Sequence, residues 1–354
     1  MAVTKSTYQP VDGHAQPGRL PGGRRRCGCA RATRGILAVA TVVLAALALT
    51  ARGARAADIT IVLSGQASPY VKAEAELRAR LVKLGHTTRT IEIGELVKKP
   101  DPGRGSGAAF VAVGTPAAAW LKANLPAQTP LVYCMTSDTE APAPATGRMM
   151  AGVSTNVPLS VQFGLIAEAL PRAATIGVLY RSDNEKSARM LADATASLPK
   201  SWKLQAVAVD KHESVAKAID ALLAGGADVV WTAPDSSVYD VATVRSLLLA
   251  AIRSRTPVFG FSPAFVRAGA LLGVGIEPAR QGRQAAAIVD LLVKAAAAAS
   301  SGATTQPRPE QLCPDPEFQL AVNLIVAREL SITLPKSLVS RAVHVFDAED
   351  EVKE

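Results

Sequence analysis

Short apolar runs alternating with helical stretches constrain this chain more than any other feature. Residues 59–63 (ITIVL), 110–113 (FVAV), 130–134 (PLVYC) and 175–180 (TIGVLY) carry no charge and are too short for useful helices. Such runs read as strands covered on both faces. The pattern predicts strands at 59–63, 90–93, 110–113, 130–134, 175–180, 204–209, 228–232, 257–260 and 270–276. Helices are expected over 71–84, 116–125, 159–170, 185–198, 215–224, 236–253 and 280–299. Strands separated by helices pair in parallel as βαβ units, so the fold class is α/β with doubly wound parallel sheets. A single core stops growing at roughly 250–300 residues. The chain has 354 residues, so two lobes are expected. Residues 140–147 (EAPAPATG) read as a turn-rich surface loop, and residues 300–316, rich in proline, as a connector.

A formal charge of +9 points at first to nucleic acid or anionic lipid. Its location removes that reading. Residues 1–35 are polar and Arg-rich, residues 36–50 (ILAVATVVLAALALT) are apolar, and Ala54-Arg55-Ala56 is an A-x-A cleavage pattern. This is the layout of a secretory signal, with an apolar core too short for a membrane anchor. Residues 1–56 hold nine of the 39 Lys and Arg and one of the 30 Asp and Glu, which leaves the mature chain at +1. Nucleic acid is therefore not an expected partner. Cys27 and Cys29 precede the apolar core and are not lipoprotein cysteines. Only Cys134 and Cys313 remain beyond the leader, and an oxidising compartment would permit one bridge between them.

In doubly wound sheets, ligands sit outside the carboxyl ends of the strands. That rule singles out Ser64, Gln66 and Ser68, then Gly114-Thr115-Pro116, then Thr136-Ser137-Asp138 in the first lobe. In the second it singles out Arg181 to Asn184, Pro234-Asp235-Ser236 and Phe261-Ser262-Pro263. Each has a plain alternative as a helix cap or turn former. The stretch Gly114-Thr115-Pro116 poses the choice sharply. Its glycine and its proline at a helix start serve a tight turn, while free N–H groups at the same place would hold an anion.

No catalytic constellation is present in the sequence. His86, His212 and His344 have no metal-ligand spacing to other donors. The nearest approach to a nucleophile elbow, residues 259–264 (FGFSPA), lacks the second glycine. Residues 273–278 (GVGIEP) lack the third glycine of a dinucleotide fingerprint, and there is no phosphate-binding G-x-x-x-x-G-K. No cofactor is expected. The tryptophans Trp120, Trp202 and Trp231 read as core, and Lys98, Lys99 and Lys211 as solvated faces.

Several segments, in order, resemble one family. GTPAAAWL at 114–121, AGVST at 151–155, LPRAATIGVLYRSDNEKS at 170–187 and TAPDSSV at 232–238 resemble ABC-transporter substrate-binding proteins related to tryptophan- and tyrosine-uptake proteins. So do PVFGFSPAFVRAGAL at 257–271, GRQAA at 282–286 and the ending AVNLIVARELSITLPKSLVSRAV at 321–343. The resemblance implies a type I periplasmic-binding fold with two lobes, three crossings and hinge closure around a small ligand. It places the lobes at 57–155 plus 278–318 and at 156–277 plus 319–354. It implies ligand contacts from Gly114, Thr115, Ala117, Ser137, Ser154 and Thr155 on one side, and from Tyr180, Asn184, Asp235 and Ser262 on the other. For an amino acid or similar zwitterion, N–H groups near Thr115 and Ala117 would hold the carboxylate. Asp235 or Asp138 would hold the ammonium, with Tyr180, Tyr239 or Phe261 against the apolar part. Pro278 stands where the family has an aromatic residue, and residues 137–147 replace a compact Asp-Pro. The implied partners are a small ligand and an ABC permease of the inner membrane, with the protein a periplasmic monomer. A ligand-loaded partner of a membrane receptor kinase and a periplasmic enzyme are the alternatives.

Overall fold

A computed structural model describes residues 56–98, 108–137, 150–300, 307 and 309–348. Residues 1–55, which hold nearly all of the expected leader, Lys99, Asp138 and the loop at 140–147 lie outside these residues. The described chain forms two sheets. The first contains β1 (Asp58–Leu63), β2 (Thr87–Glu92), β3 (Ala109–Val113), β4 (Leu131–Thr136) and β5 (Met150–Ser154), in the order β2-β1-β3-β4-β5. All its pairings are parallel. The second contains β6 (Thr175–Tyr180), β7 (Lys203–Ala208), β8 (Val229–Trp231), β9 (Val258–Gly260), β10 (Leu272–Ile276), β11 (Phe318–Asn323) and β12 (His344–Phe346). Their order is β12-β11-β10-β9-β8-β6-β7, parallel except for the antiparallel pair β10 and β11.

Helices cover both sheets. They are α1 (Ser68–Lys83), α2 (Ile93–Lys98), α3 (Thr115–Asn124), α4 (Leu159–Ala169), α5 (Glu185–Ser197), α6 (Val215–Ala224), α7 (Val241–Arg253) and α8 (Pro263–Arg267). α9 (Pro278–Ser300), α10 (Pro309–Leu312), α11 (Leu324–Glu329) and α12 (Lys336–Arg341) complete the series. In the first lobe, α1 and α9 bury Leu77, Leu81, Ile288 and Leu292 on one sheet face, while α3 buries Ala117, Ala118 and Leu121 on the other. In the second, Phe163 and Ile166 of α4 meet Ile176, Val178 and Trp231, with α6 and α7 opposite. A strand covered on both faces gains from continuous apolarity, and all five residues of β3 are buried.

The architecture is the expected α/β pair of doubly wound lobes with three crossings. β5 leads from the first sheet into α4 of the second lobe, β10 leads from the second sheet into α9 of the first, and β11 returns to the second sheet. Several local expectations need correction. β2 (TTRTIE) spans 87–92 rather than 90–93; it is an edge strand, exposed or half-buried throughout, so it is mostly polar rather than apolar. The helix expected from residue 236 begins at Val241, because Asp235 and Asp240 each make a separate cap: Asp235 turns residues 236–239, and Asp240 accepts from Thr243 N at 2.7 Å. β5, α8 and β11 were not in the apolar pattern, since β5 contains Gly152 and Ser154 and β11 contains Gln319 and Asn323. Cys134 and Cys313 are both free, one buried and one exposed. No helix among the described residues is long and apolar enough to cross a membrane.

α9 approaches α1 closely because Gly282 carries no side chain. A Cβ there would lie 2.1 Å from the Ala73 carbonyl oxygen and 2.9 Å from the Leu77 nitrogen, both backbone atoms that cannot rotate away. Two effects oppose each other in Gly282→Ala. Alanine gains about 0.8–1 kcal/mol in helix propensity, and overpacking against fixed atoms costs about 1–3 kcal/mol. The clash outweighs the gain, so this variant unfolds at lower urea concentration than the parent, and an unchanged or raised midpoint would refute the close-packing account.

Candidate functional site

The three crossings surround a cleft of about 1140 Å³. Ser154 to Pro158 on the first crossing, Val274 to Ile276 on the second and Cys313 to Pro316 on the third line it. The loop after β6 contributes Asp183 to Lys186, the loop after β8 contributes Ala233 to Ser237, and Phe261 follows β9. Tyr133, Ser137 and Gly152 come from the first sheet. The cleft therefore lies at the carboxyl ends of the second sheet's strands, where doubly wound folds bind ligands.

Of the residues singled out from the sequence, Ser137, Ser154, Thr155, Asn184 and Asp235 line this cleft. Ser64, Gln66, Gly114, Thr115, Ala117, Tyr180 and Ser262 do not. The reason is visible at most of them. Ser64 Oγ accepts from Ala117 N at 3.0 Å, and Gln66 Nε2 donates to Glu92. Ser262 Oγ accepts from Phe265 N at 3.1 Å and starts α8. Gly114 has φ 95°, and a Cβ there would meet Ser64 Oγ at 2.6 Å. At this strand end the turn-and-cap reading holds: the glycine permits the close approach and the neighbouring strand's serine caps the helix.

Trp231 belongs to the core and to the cleft wall together. It is 1% exposed, packs edge-on to Phe163 with ring centroids 5.6 Å apart, and still lines the cleft. Its Nε1 donates to Gln162 Oε1 at 2.9 Å, and Gln162 Nε2 donates to the Val157 carbonyl at 2.7 Å. Gln162 was not singled out from the sequence. Its signal is a lone amide within the apolar helix LSVQFGLIAEA. Phe261, singled out from the sequence, lines the cleft as well, and Tyr133, Lys186 and Asp193 line it without having been expected there.

Asp235 is the polar centre. Its Oδ1 accepts from Ser237 N at 2.9 Å and from Ser237 Oγ at 2.6 Å. Its Oδ2 is buried and has no partner among the described residues. The hydroxyl of Tyr239 is likewise buried without a partner. Burial, and secondarily the charge of Asp235, push the Tyr239 phenol well above its usual range, so it stays neutral. Arg181 holds Asp183 through two bonds, Nε to Oδ1 at 2.8 Å and Nη2 to Oδ2 at 2.5 Å, which lowers the carboxyl and raises the guanidinium. Asp210 accepts from Ser182 Oγ at 2.5 Å and from Ser182 N at 2.7 Å. The hydroxyl bond first, then the N–H bond, lowers its carboxyl to about 2. Burial pushes the Cys134 thiol up to about 12, while Cys313 sits exposed on the cleft wall. No group of three His, Cys, Asp or Glu among the described residues could hold a metal ion.

A two-lobed α/β clamp with its cleft at three crossings defines the class of type I periplasmic-binding folds. The family model for ABC transporter substrate binding proteins matches residues 108–346, and the chain belongs to that family. Solved structures support the fold. A conserved domain protein from Vibrio cholerae is 22% identical with a TM-score of 0.56, covering 82% of this chain and 100% of its own. An ABC domain from Streptococcus pneumonia in complex with L-Trp is 19% identical with a TM-score of 0.52, covering 81% and 100%. The ligand-free, open structure of a substrate binding protein with adhesive properties from Clostridium difficile is 17% identical with a TM-score of 0.63, covering 82% and 99%. No curated protein matches the chain by sequence.

Asp210 anchors the loop that carries Asp183 and Asn184, and its lowered pKa fixes the sign of its pH dependence. A depressed carboxyl contributes stability above its unfolded value, near 3.9, and loses it as pH falls through the folded value. Asp210→Asn is therefore less stable than the parent at pH 7 in urea. The gap narrows as pH falls from about 4 towards 2. A gap that widens on acidification would contradict the assignment.

Proposed function

We propose that the mature chain is a soluble periplasmic substrate-binding protein that captures a small polar metabolite and delivers it to an ABC permease. Export by the leader at 1–56 supports the compartment, and the protein works as a monomer without cofactor. Residues 57–155 with 278–318, and 156–277 with 319–354, are the bodies that close on the ligand. The observation that carries this reading is the cleft at the three crossings, lined from both sheets by short polar side chains including Ser137, Ser154, Thr155, Asn184 and Asp235. A ligand ammonium entering the cleft gains a charge-assisted interaction from the Asp235 carboxylate, and that gain favours the closed form. Trp231 and Phe261 offer aromatic surface to the rest of the molecule. The protein performs no bond-making step in this reading: it binds, encloses and releases.

Binding proteins of this kind respond measurably to their ligand. Ligand at about 100 times its Kd stabilises the folded state by about 2.7 kcal/mol, which raises Tm by several degrees. Cys313 reports closure independently, because it is exposed on the cleft wall while Cys134 is buried and protonated. With the chain from residue 57, a thiol reagent modifies Cys313 alone in the folded protein. A ligand that raises Tm also slows that modification. Stabilisation that leaves Cys313 equally reactive, and that persists in Asp235→Asn, would place binding elsewhere and overturn the reading.

A further inference from the structure

We infer that Glu277 and Gln319 form a latch across the hinge, which holds the lobes at the opening seen here until a ligand closes them. This rests on the clamp reading above and names the contact that sets the lobe angle. It follows from where each crossing can bend. On the first crossing, Thr155 N donates to the Thr136 carbonyl at 2.9 Å on the first-lobe side. The Val157 carbonyl accepts from Gln162 of α4 on the second-lobe side. The bend is therefore confined to residues 155–157. The second and third crossings run side by side. β10 and β11 pair antiparallel as far as Ile276 and Phe318, so both strands belong to the second lobe up to that rung. Beyond it the chain belongs to the first lobe. Gln281 N donates to the Glu277 carbonyl at 3.2 Å, which ties the Glu277 backbone to α9. Gln284 of α9 clamps the third crossing: Nε2 donates to the Asp315 carbonyl at 2.9 Å, and Oε1 accepts from Glu317 N at 3.0 Å. The links Ile276–Glu277 and Glu317–Phe318 thus lie between fixed bodies and act as one paired hinge.

The Glu277 side chain reaches over that hinge. Arg280 of α9 holds its carboxylate on the first-lobe side, with Nε donating to Oε2 at 2.8 Å. The same oxygen accepts from Gln319 Nε2, on β11 of the second lobe, at 2.9 Å. Gln319 is fixed in orientation, because its Oε1 accepts from His344 Nε2 of β12 at 2.9 Å and leaves the amide nitrogen for Glu277. Rotation about the paired hinge moves Gln319 against Glu277. An N–H···O bond holds well only between about 2.7 and 3.2 Å, so lobe closure breaks the latch. The latched form is the open one. Its cleft of about 1140 Å³ exceeds the roughly 300–1,000 Å³ of sites that enclose a small molecule. Neither Glu277 nor Gln319 lines the cleft, so the pair acts on the lobe angle and not through ligand contacts. A single charge-assisted bond is of the size needed to bias two lobe positions without locking either.

Electron–electron resonance on the ligand-free chain from residue 57 reads the lobe angle without knowing what the cleft binds. Spin labels replace Ala67, after β1, and Glu213, after β7, which are exposed positions beyond the carboxyl ends of strands in the two lobes. Cys313→Ser removes the exposed thiol, and Cys134 is buried and takes no label. Gln319→Met keeps the side-chain length and removes the donor; Glu277→Met removes the acceptor. In each, the distance distribution broadens and gains a shorter component. The ratio of shorter to longer distances rises about 2–10-fold over the parent, the range for one lost hydrogen bond. The double variant shifts no further than either single one, because both remove the same bond. A fold that was merely loosened would add the two effects. Circular dichroism and the melting temperature confirm that the variants are folded. Single variants with the parental distance and width overturn the latch, and so does a double variant whose shift is the sum of the two. Those outcomes leave ligand capture untouched, since that reading stands or falls on the Tm and Cys313 measurements above.

Discussion

The geometry of the cleft depends on one buried amide. Gln281, in the first turn of α9, has no exposed surface, and its two polar atoms face the ends of two different first-lobe strands. Nε2 donates to the Ser154 carbonyl at 2.8 Å, at the end of β5, and Oε1 accepts from Met135 N at 3.1 Å, at the end of β4. Reversing the amide would leave two donors facing each other and two acceptors facing each other, so the orientation is set by its partners. Met135 lies at a register irregularity between β4 and β5 and has φ 57°. A non-glycine residue in that conformation costs about 1–3 kcal/mol unless its surroundings hold it. The Gln281 bond holds it, and the irregular strand end delivers Ser137 to the cleft. A single side chain thus joins the first crossing, the second crossing and the end of a first-lobe strand.

The loop ends around the cleft show the same economy of polar groups. Ser64, Ser154, Asn184, Asp235 and Ser262 at the strand ends each accept a hydrogen bond from a backbone N–H of the chain itself. These bonds make the loops stiff before any ligand arrives, which limits the entropy lost on binding. They also reduce the set of groups able to recognise a ligand. In the proposed reading, recognition falls to the polar side chains of the cleft lining and to the aromatic surfaces of Trp231 and Phe261. Tyr239 reinforces this: it packs at 5.9 Å from Phe261 and 6.3 Å from Phe265, and its neutral hydroxyl brings no opposing charge to Asp235.

Much of this was legible before any coordinates. Central strands such as β3 and β6 are continuous apolar runs because both of their faces are buried, and that requirement writes itself into composition. Edge strands escape it: β2 reads TTRTIE because one side faces water. Among the strands outside the apolar pattern, β5 and β11 carry polar residues for the crossings themselves. Ser154 offers its carbonyl to Gln281, and Gln319 donates to Glu277 Oε2 at 2.9 Å on the adjoining crossing. For single cap residues the sequence is ambiguous by nature. Asn184 and Ser262 have the same chemistry as ligand contacts and as helix caps, and the structure shows the capping bonds. Which capable residue has a free valence is a matter of distances between distant segments, and no local pattern encodes it.

Trp231 shows why core and site are not competing assignments in such a fold. β8 is three residues long and lies inside its sheet, so its final side chain is both the last layer of the core and the first surface of the cleft. The indole ring packs on Phe163 as a core residue must, while its N–H needs an acceptor and finds one in Gln162. Gln162 in turn donates to the Val157 carbonyl at the first crossing. The ring that would touch a ligand is therefore tied through one amide to the segment on which the lobes turn. A rotation at the first crossing carries Val157 with it and strains or preserves that pair of bonds. In the proposed clamp, the cleft wall and the first crossing are thus joined through side chains already in contact, Trp231, Gln162 and Val157.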